Sequence, residues 1–149
     1  MKLDDQNVDR VVLDTNVFVS GGTINTGASS QIVNHWRNQD FVLVASPQLI
    51  SEYEEVLQRP RIMKYTGLKT EETSQYIEEV RNRAFITPGT LTLDILINDP
   101  DDNMVLSCAE EGMASHLVTG NTKHFPFTVY KGIQVVTPRQ FLNHLEQQG

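Results

Sequence analysis

Val11-Val12-Leu13-Asp14-Thr15-Asn16 is the stretch that decides the fold. An aliphatic run ends in a carboxylate, followed by two small polar residues. A short apolar run bounded by turn-forming residues reads as a buried strand. Here the strand covers 11–14 and delivers its acid to the rim of a sheet. Ligands of open α/β sheets sit beyond the carboxyl ends of the strands. A charge at that position needs a partner, and a metal ion is the partner expected. The competing reading makes Asp14 a turn or helix-capping residue, a common use of aspartate.

Outward from this strand, apolar runs alternate with helical patterns. Gly21, Gly22, Asn25 and Gly27 mark a loop. Residues 28–38 read as a helix with Ile32, Val33 and Trp36 on one side, and Phe41 to Ala45 reads as a second strand. Ser46-Pro47 supplies a hydroxyl cap and a proline at the first helical position. That helix is expected to run to about Arg59, with Pro60 as its stop. Thr70 opens another helix, about 71–84. Residues 85–98 show no clear period, apart from a Pro88-Gly89 turn. Asp99-Pro100 opens a helix that ends near Gly112. His116 to Thr119 and Ile133 to Val136 read as a third and a fourth strand. Thr137-Pro138 starts a last helix, ending around Glu146. This alternation predicts an α/β fold: a parallel sheet with helices on both faces. Residues 1–149 are expected to form one domain, with about residues 1–9 a disordered segment.

Composition bounds the chemistry. The 149 residues suffice for one domain with a real core. The net charge of −7 argues against broad electrostatic coating of nucleic acid, while leaving room for a local basic groove. A single cysteine, Cys108, allows no internal disulfide and no thiolate metal cluster, and a reducing, cytoplasmic setting fits. Cys108 lies beside Ala109 and reads as a small buried filler. Asp4, Asp5 and Asp9 occupy the N-terminus where a signal peptide would need an apolar core. No apolar run approaches the roughly 18 residues needed to span a bilayer.

Other acids repeat the signal of Asp14. On a helix from 100 to 112, at about 100° per residue, Val105, Leu106, Ala109 and Met113 fall within about 60° of Asp102. Asp102 therefore lies on the apolar stripe, where an isolated charge is costly unless paired or ligating a metal. Its bland alternative is a capping box with Asp99, favoured by the helix dipole. Asp99 and Asp101 read as capping residues. On the helix after the second strand, the stripe is Leu49, Ile50, Tyr53, Val56 and Leu57. Glu52 and Glu54 flank it on opposite sides, and Glu55 points away. Periodicity does not choose between Glu52 and Glu54. Leu117-Val118-Thr119-Gly120-Asn121 ends the third strand much as Leu13-Asp14-Thr15-Asn16 ends the first, so two polar strand ends can face each other across one crevice. His35, His116, His124 and His144 show no ligand spacing and read as surface or packing residues. There is neither a phosphate-binding glycine loop nor a serine nucleophile elbow.

Leu13-Asp14-Thr15-Asn16-Val17, Ser46-Pro47 through Glu52, Asp99-Pro100-Asp101-Asp102 and Val118-Thr119-Gly120-Asn121 together resemble the PIN domain, in the expected order and across the whole chain. The spelling Val118-Thr119-Gly120-Asn121-x-x-His124-Phe125-Pro126 looks like the toxins of toxin-antitoxin pairs (VapC-like). The resemblance implies a single three-layer α/β/α domain with a central, mainly parallel sheet. It also implies a metal-dependent ribonuclease with a cluster of acids. Carried over by position, the family's acids fall on Asp14, Glu52 and Asp102. Thr15, Asn16 and Thr119 fall on the supporting polar positions. A fourth acid, common in the family, is replaced here by Asn121, which brings no charge and puts a tightly bound second metal in doubt.

Three crowded carboxylates repel one another unless a cation joins them, and Mg²⁺ or Mn²⁺ suits all-oxygen ligands. The implied reaction is hydrolysis of an RNA phosphodiester. Asp14 and Asp102 are expected as direct ligands, Glu52 as ligand or water-orienting group, and Asn121 as outer support. For RNA contact, residues 59–69 offer Arg59, Arg61, Lys64 and Lys69 without an acid, and Tyr65 for stacking. Lys123 and His124 can also reach phosphate; the alternative is a solvated basic loop. A toxin role implies an antitoxin protein, and the resemblance suggests a homodimer. Two rivals stand. One is a degenerate PIN module that binds RNA or protein without cleaving. The other is phosphoryl chemistry on Asp14, disfavoured because Asp14-Thr15-Asn16-Val17-Phe18 lacks a second nearby acid.

Overall fold

The computed structural model describes residues 8–23, 27–95 and 99–148. The loop reading at Asn25, the end of the 85–98 segment and the expectation of disorder over residues 1–7 lie outside the described residues. Asp9 is buried.

The first strand, β1 (Arg10–Leu13), is central. Val11, Val12 and Leu13 have no exposed surface, as expected of a parallel strand covered on both faces. β1 pairs in parallel with β2 (Val42–Ala45) on one side and β4 (His116–Val118) on the other. β3 (Phe85–Ile86) extends the sheet beyond β2 in parallel, and β6 (Ile133–Val136) extends it beyond β4. β5 (Val129–Tyr130) is antiparallel to β6 and completes the order β3-β2-β1-β4-β6-β5. Lys131 and Gly132, both with positive φ, close this hairpin, the conformation a two-residue turn between twisted strands demands.

Helices cover both faces, giving the three-layer α/β/α arrangement that the alternation predicts. They are α1 (Thr15–Gly21), α2 (Ala28–Arg37), α3 (Pro47–Leu57), α4 (Pro60–Thr66), α5 (Thr70–Arg83), α6 (Pro100–Glu111) and α7 (Pro138–Gln148). Starts read from capping chemistry fall where the sequence puts them. The Ser46 hydroxyl accepts from Leu49 N at 3.1 Å, with Pro47 in the first turn. The Asp99 carboxylate accepts from the amides of Asp101 and Asp102.

Four expectations are corrected. α1 follows β1 without a loop, because Asp14 caps it while also ending the strand; the chain leaves the helix only at Gly22. Pro60 does not merely stop α3: it begins α4, since a proline costs nothing at the first helical position. Gly67, at φ 74°, ends that helix in the left-handed region. The basic segment 59–69 is therefore largely helical. Two-residue strands β3 and β5 are too short to announce themselves by alternation. Met113 lies past the end of α6 and is 77 % exposed, so it does not belong to the stripe of Asp102.

Packing then fixes the site's walls. Phe18 of α1 lies between Tyr53 of α3 and Tyr76 of α5, with ring centroids 3.9 and 4.2 Å away and near-parallel planes. The Tyr53 hydroxyl donates to the Leu13 carbonyl, and the Tyr76 hydroxyl donates to the Phe18 carbonyl at 2.6 Å. Both phenols are thereby satisfied within the core, as buried tyrosines require. Gly21 lets α2 close on α1: a Cβ there would stand 2.3 Å from a Val33 methyl. These contacts lock α1 and α3 to the carboxyl end of β1.

Candidate active site

The carboxyl ends of β1 and β4 open into a cleft of about 280 Å³. Asp14, Glu52, Asp99, Asp101 and Asp102 line it, together with Thr15, Asn16, Asn121, His124, Arg59 and Arg61. The acids arrive on three supports: Asp14 at the junction of β1 and α1, Glu52 on α3, and Asp99, Asp101 and Asp102 at the start of α6. Asp14 caps α1, and its amide donates to the Val118 carbonyl at 2.9 Å, which ties it to the neighbouring strand. Its Oδ2 accepts from the fully buried Thr119 hydroxyl at 2.7 Å, and Oδ1 accepts from Asn16 N at 3.4 Å. The Thr119 hydroxyl in turn accepts from the Asn121 amide at 3.0 Å. The backbone of Asn121 thus orients the hydroxyl that orients Asp14.

Glu52 stands on α3 and accepts a hydrogen bond from the Thr15 hydroxyl. Its neighbours turn elsewhere: Glu54 meets Arg81 at 3.1 Å, and the exposed Glu55 meets Arg59 at 2.9 Å. Of the two glutamates between which periodicity does not choose, Glu52 lines the cleft and Glu54 does not. Asp102 is 7 % exposed at the N-terminal turn of α6. Its Oδ2 lies 3.0 Å from His124 Nδ1, and Asp99 Oδ2 lies 3.8 Å from the same nitrogen. His124 ends a 3₁₀ turn over Thr122–His124, which follows β4.

Electrostatics mark the cleft as strained. Burial raises Asp102 to about 6, helped by the Asp99 carboxylate and opposed by His124. Burial also raises Glu52. The Thr15 hydrogen bond opposes that shift, and the carboxylates of Asp101 and Asp14 add to it. Burial first, and neighbouring carboxylates second, push both groups towards protonation, and a cation bound beside them would oppose both shifts. The donor set answers to the same chemistry. Five carboxylates line the cleft, and oxygen donors are the kind that Mg²⁺ and Mn²⁺ take. Ligand atoms of Asp99, Asp102 and His124 lie within 4.8 Å of one another. The residues present fit a divalent cation.

A parallel sheet that gathers acids beyond the carboxyl ends of its central strands belongs to a class, the α/β proteins whose ligand site lies at that edge. Within it, this chain belongs to the PIN domain family, whose model matches residues 10–123. PIN domains are generally nucleases. No curated protein sequence matches the chain.

Of the residues expected from the sequence, Asp14, Glu52, Asp102, Thr15, Asn16 and Asn121 line the cleft, and Thr119 stands directly behind Asp14. Arg59 and Arg61 reach its rim, whereas Lys64 does not line it. Lys123 lines a neighbouring groove with Phe125, Pro126 and Phe127. Three residues were given smaller parts by sequence reasoning. Asp99 caps α6 as expected and also faces the cleft. Asp101 sits close enough to Glu52 to raise it. His124 is exposed, in keeping with its reading as a surface residue, and it also lies beside Asp102 and Asp99. The signal for all three was proximity in sequence: an acid run at one helix start, and a histidine three residues after Asn121.

Proposed function

We propose that this PIN domain is a metal-dependent endoribonuclease that hydrolyses RNA phosphodiester bonds. The observation that carries the reading is the convergence of five carboxylates, two of them raised, on one cleft with arginines at its rim. Asp14 and Asp102 are assigned as the ligands of Mg²⁺ or Mn²⁺, and Glu52 as a further ligand or the group that orients the attacking water. When bound, the cation supplies an activated water and offsets the negative charge that builds on the phosphate being cut. The chain's own residues hold the rest. Thr119 and the Asn16 amide fix the Asp14 carboxylate, Thr15 fixes Glu52, and His124 fixes Asp102. Asn121 acts through its backbone as outer support. Its uncharged side chain, where the family often has an acid, is offset by Asp99 and Asp101 across the cleft. Arg59 and Arg61 draw the RNA backbone to an otherwise acidic surface.

The biological reading is the toxin of a toxin-antitoxin pair, acting in the cytoplasm and inhibited by a protein antitoxin. Among the described residues, no helix is long and apolar enough to cross a membrane. The edge strand β3 exposes Phe85 and Ile86, an apolar edge suited to an antitoxin or to a second copy of the chain.

The test is RNA cleavage by the full chain with Mg²⁺, with Mn²⁺ and with EDTA, beside Asp14→Asn. Cleavage that needs the cation and fails in Asp14→Asn supports the proposal. RNA binding without any metal-dependent product supports instead a module that binds without cutting.

A further inference from the structure

At the opposite end of the sheet, Asp9, His116 and His144 bring one ligand atom each to within 4.8 Å of one another. Asp9 immediately precedes β1, His116 opens β4 beside it, and His144 lies on α7. The cluster is about 16 Å along β1 from Asp14, at roughly 3.3 Å per residue, and none of its members lines the acidic cleft. We propose that it is a second metal site, of a chemistry distinct from the cleft: a His₂Asp site for Zn²⁺ or Ni²⁺ that clamps α7 to the first and fourth strands.

Donor type comes first. Two imidazoles and one carboxylate suit borderline transition ions, and such a set does not favour Mg²⁺. Spacing comes second. Zn–N and Zn–O bonds of about 2.1 Å in a tetrahedron set ligand atoms roughly 3.4 Å apart. His144 Nε2 lies 2.8 Å from Asp9 Oδ2, and His116 Nδ1 lies 3.7 Å from Asp9 Oδ1. The two run to different oxygens of the carboxylate, and one ligand atom from each residue lies within 4.8 Å of the others, so an ion enters once the three draw in towards that edge. The availability of the lone pairs comes third. Ser115 Oγ lies 2.9 Å from His116 Nδ1, but this hydroxyl has other partners. It accepts from the Arg10 amide at 3.1 Å and donates to the Arg10 carbonyl at 3.1 Å. His116 Nδ1 can therefore turn to a metal without stranding Ser115. The surroundings come last. Asp9 and His116 are buried, and the Phe141 ring, 5.1 Å from that of His116, covers one side. His144 is one-third exposed, which leaves an entry path and an open position for water.

The experiment is a Zn²⁺ titration of the full-length chain, with Mg²⁺ in excess to occupy the acidic cleft, read by NMR of the histidine side-chain nitrogens. The proposal predicts that His116 and His144 respond together at one equivalent. It also predicts that Zn²⁺ raises the thermal midpoint of the wild type and that both effects vanish in His144→Ala. This variant truncates a partly exposed side chain, and an unchanged amide spectrum away from α7 verifies its fold. A response confined to His124 would overturn the proposal, because the ion then enters the cleft alone. A response of His144 without His116 would overturn it equally, as binding to one surface histidine.

Discussion

The two ends of the parallel sheet treat buried acid in opposite ways. At the amino end, Asp9 is matched by two imidazoles at 2.8 and 3.7 Å. At the carboxyl end, Asp14, Glu52, Asp99, Asp101 and Asp102 share one cleft with a single histidine and two arginines at the rim. The first arrangement gives its carboxylate imidazole partners from two other elements of the chain. The second gathers acids with few partners, and burial first, then neighbouring carboxylates, raises Asp102 and Glu52 towards protonation. Natural proteins keep such sites where function needs them, at the expense of stability. The difference separates an end whose polar cluster ties α7 to the first and fourth strands from an end whose acids line an open cleft.

Substitutions should divide along the same line. Asp14→Asn and Asp102→Asn are expected to lower single-turnover RNA cleavage by about a thousandfold or more, since a metal's charge stabilisation is worth several kcal/mol. The same variants should keep or raise the thermal midpoint of the metal-free protein. At the other end, Asp9→Asn removes the charge and one acceptor oxygen beside the buried His116 and the partly exposed His144, and is expected to lose about 2 kcal/mol in urea unfolding while cleavage per folded molecule is kept. If Asp9→Asn abolished cleavage in fully folded protein, the division would fail.

Acid should act on the two ends with opposite sign. Asp102, raised to about 6, binds its proton more readily in the folded state than in the unfolded chain, where aspartate titrates near about 3.9. On its account the metal-free protein gains stability as pH falls through that interval. Burial lowers His116, partly opposed by Asp9. The folded state therefore resists its protonation, and stability is lost as pH falls below about 6.5. Urea melts of Asp102→Asn across this range should show the loss without the gain.

Smaller effects concern the rim. Asp101→Asn removes a carboxylate that raises Glu52, so the acidic limb of the rate profile should move to lower pH, with a loss of about tenfold or less in rate. Arg61→Ala should weaken RNA binding and reduce the slope of log affinity against log salt by about one for each phosphate that the guanidinium neutralises. A slope unchanged in Arg61→Ala would remove that residue from the RNA path.

How much of this was legible in the sequence follows the range of the interactions. Helix starts were readable because Ser46-Pro47, Asp99-Pro100 and Thr137-Pro138 are local chemistry. Asp102 was readable because a charge on an apolar stripe violates its period. α1 was hidden because one residue, Asp14, ends a strand and caps a helix at once. α4 was hidden because Pro60 serves equally as a stop and a start. Periodicity placed Glu52 and Glu54 symmetrically about the stripe. Only the positions of Thr15 and Arg81, from distant parts of the chain, divide their roles. The cluster at Asp9 was beyond reach for the same reason: its three members meet only when β1, β4 and α7 are assembled. Histidine spacing along the chain carries no trace of that meeting.

The most direct test of the central claim is to titrate Mn²⁺ into the full-length chain and into Asp14→Asn while following cleavage of a labelled RNA. The account predicts product that rises with Mn²⁺ occupancy in the wild type, disappears with EDTA and is lacking in Asp14→Asn. Cleavage that persists at the wild-type rate in Asp14→Asn, or that ignores the chelator, would contradict it.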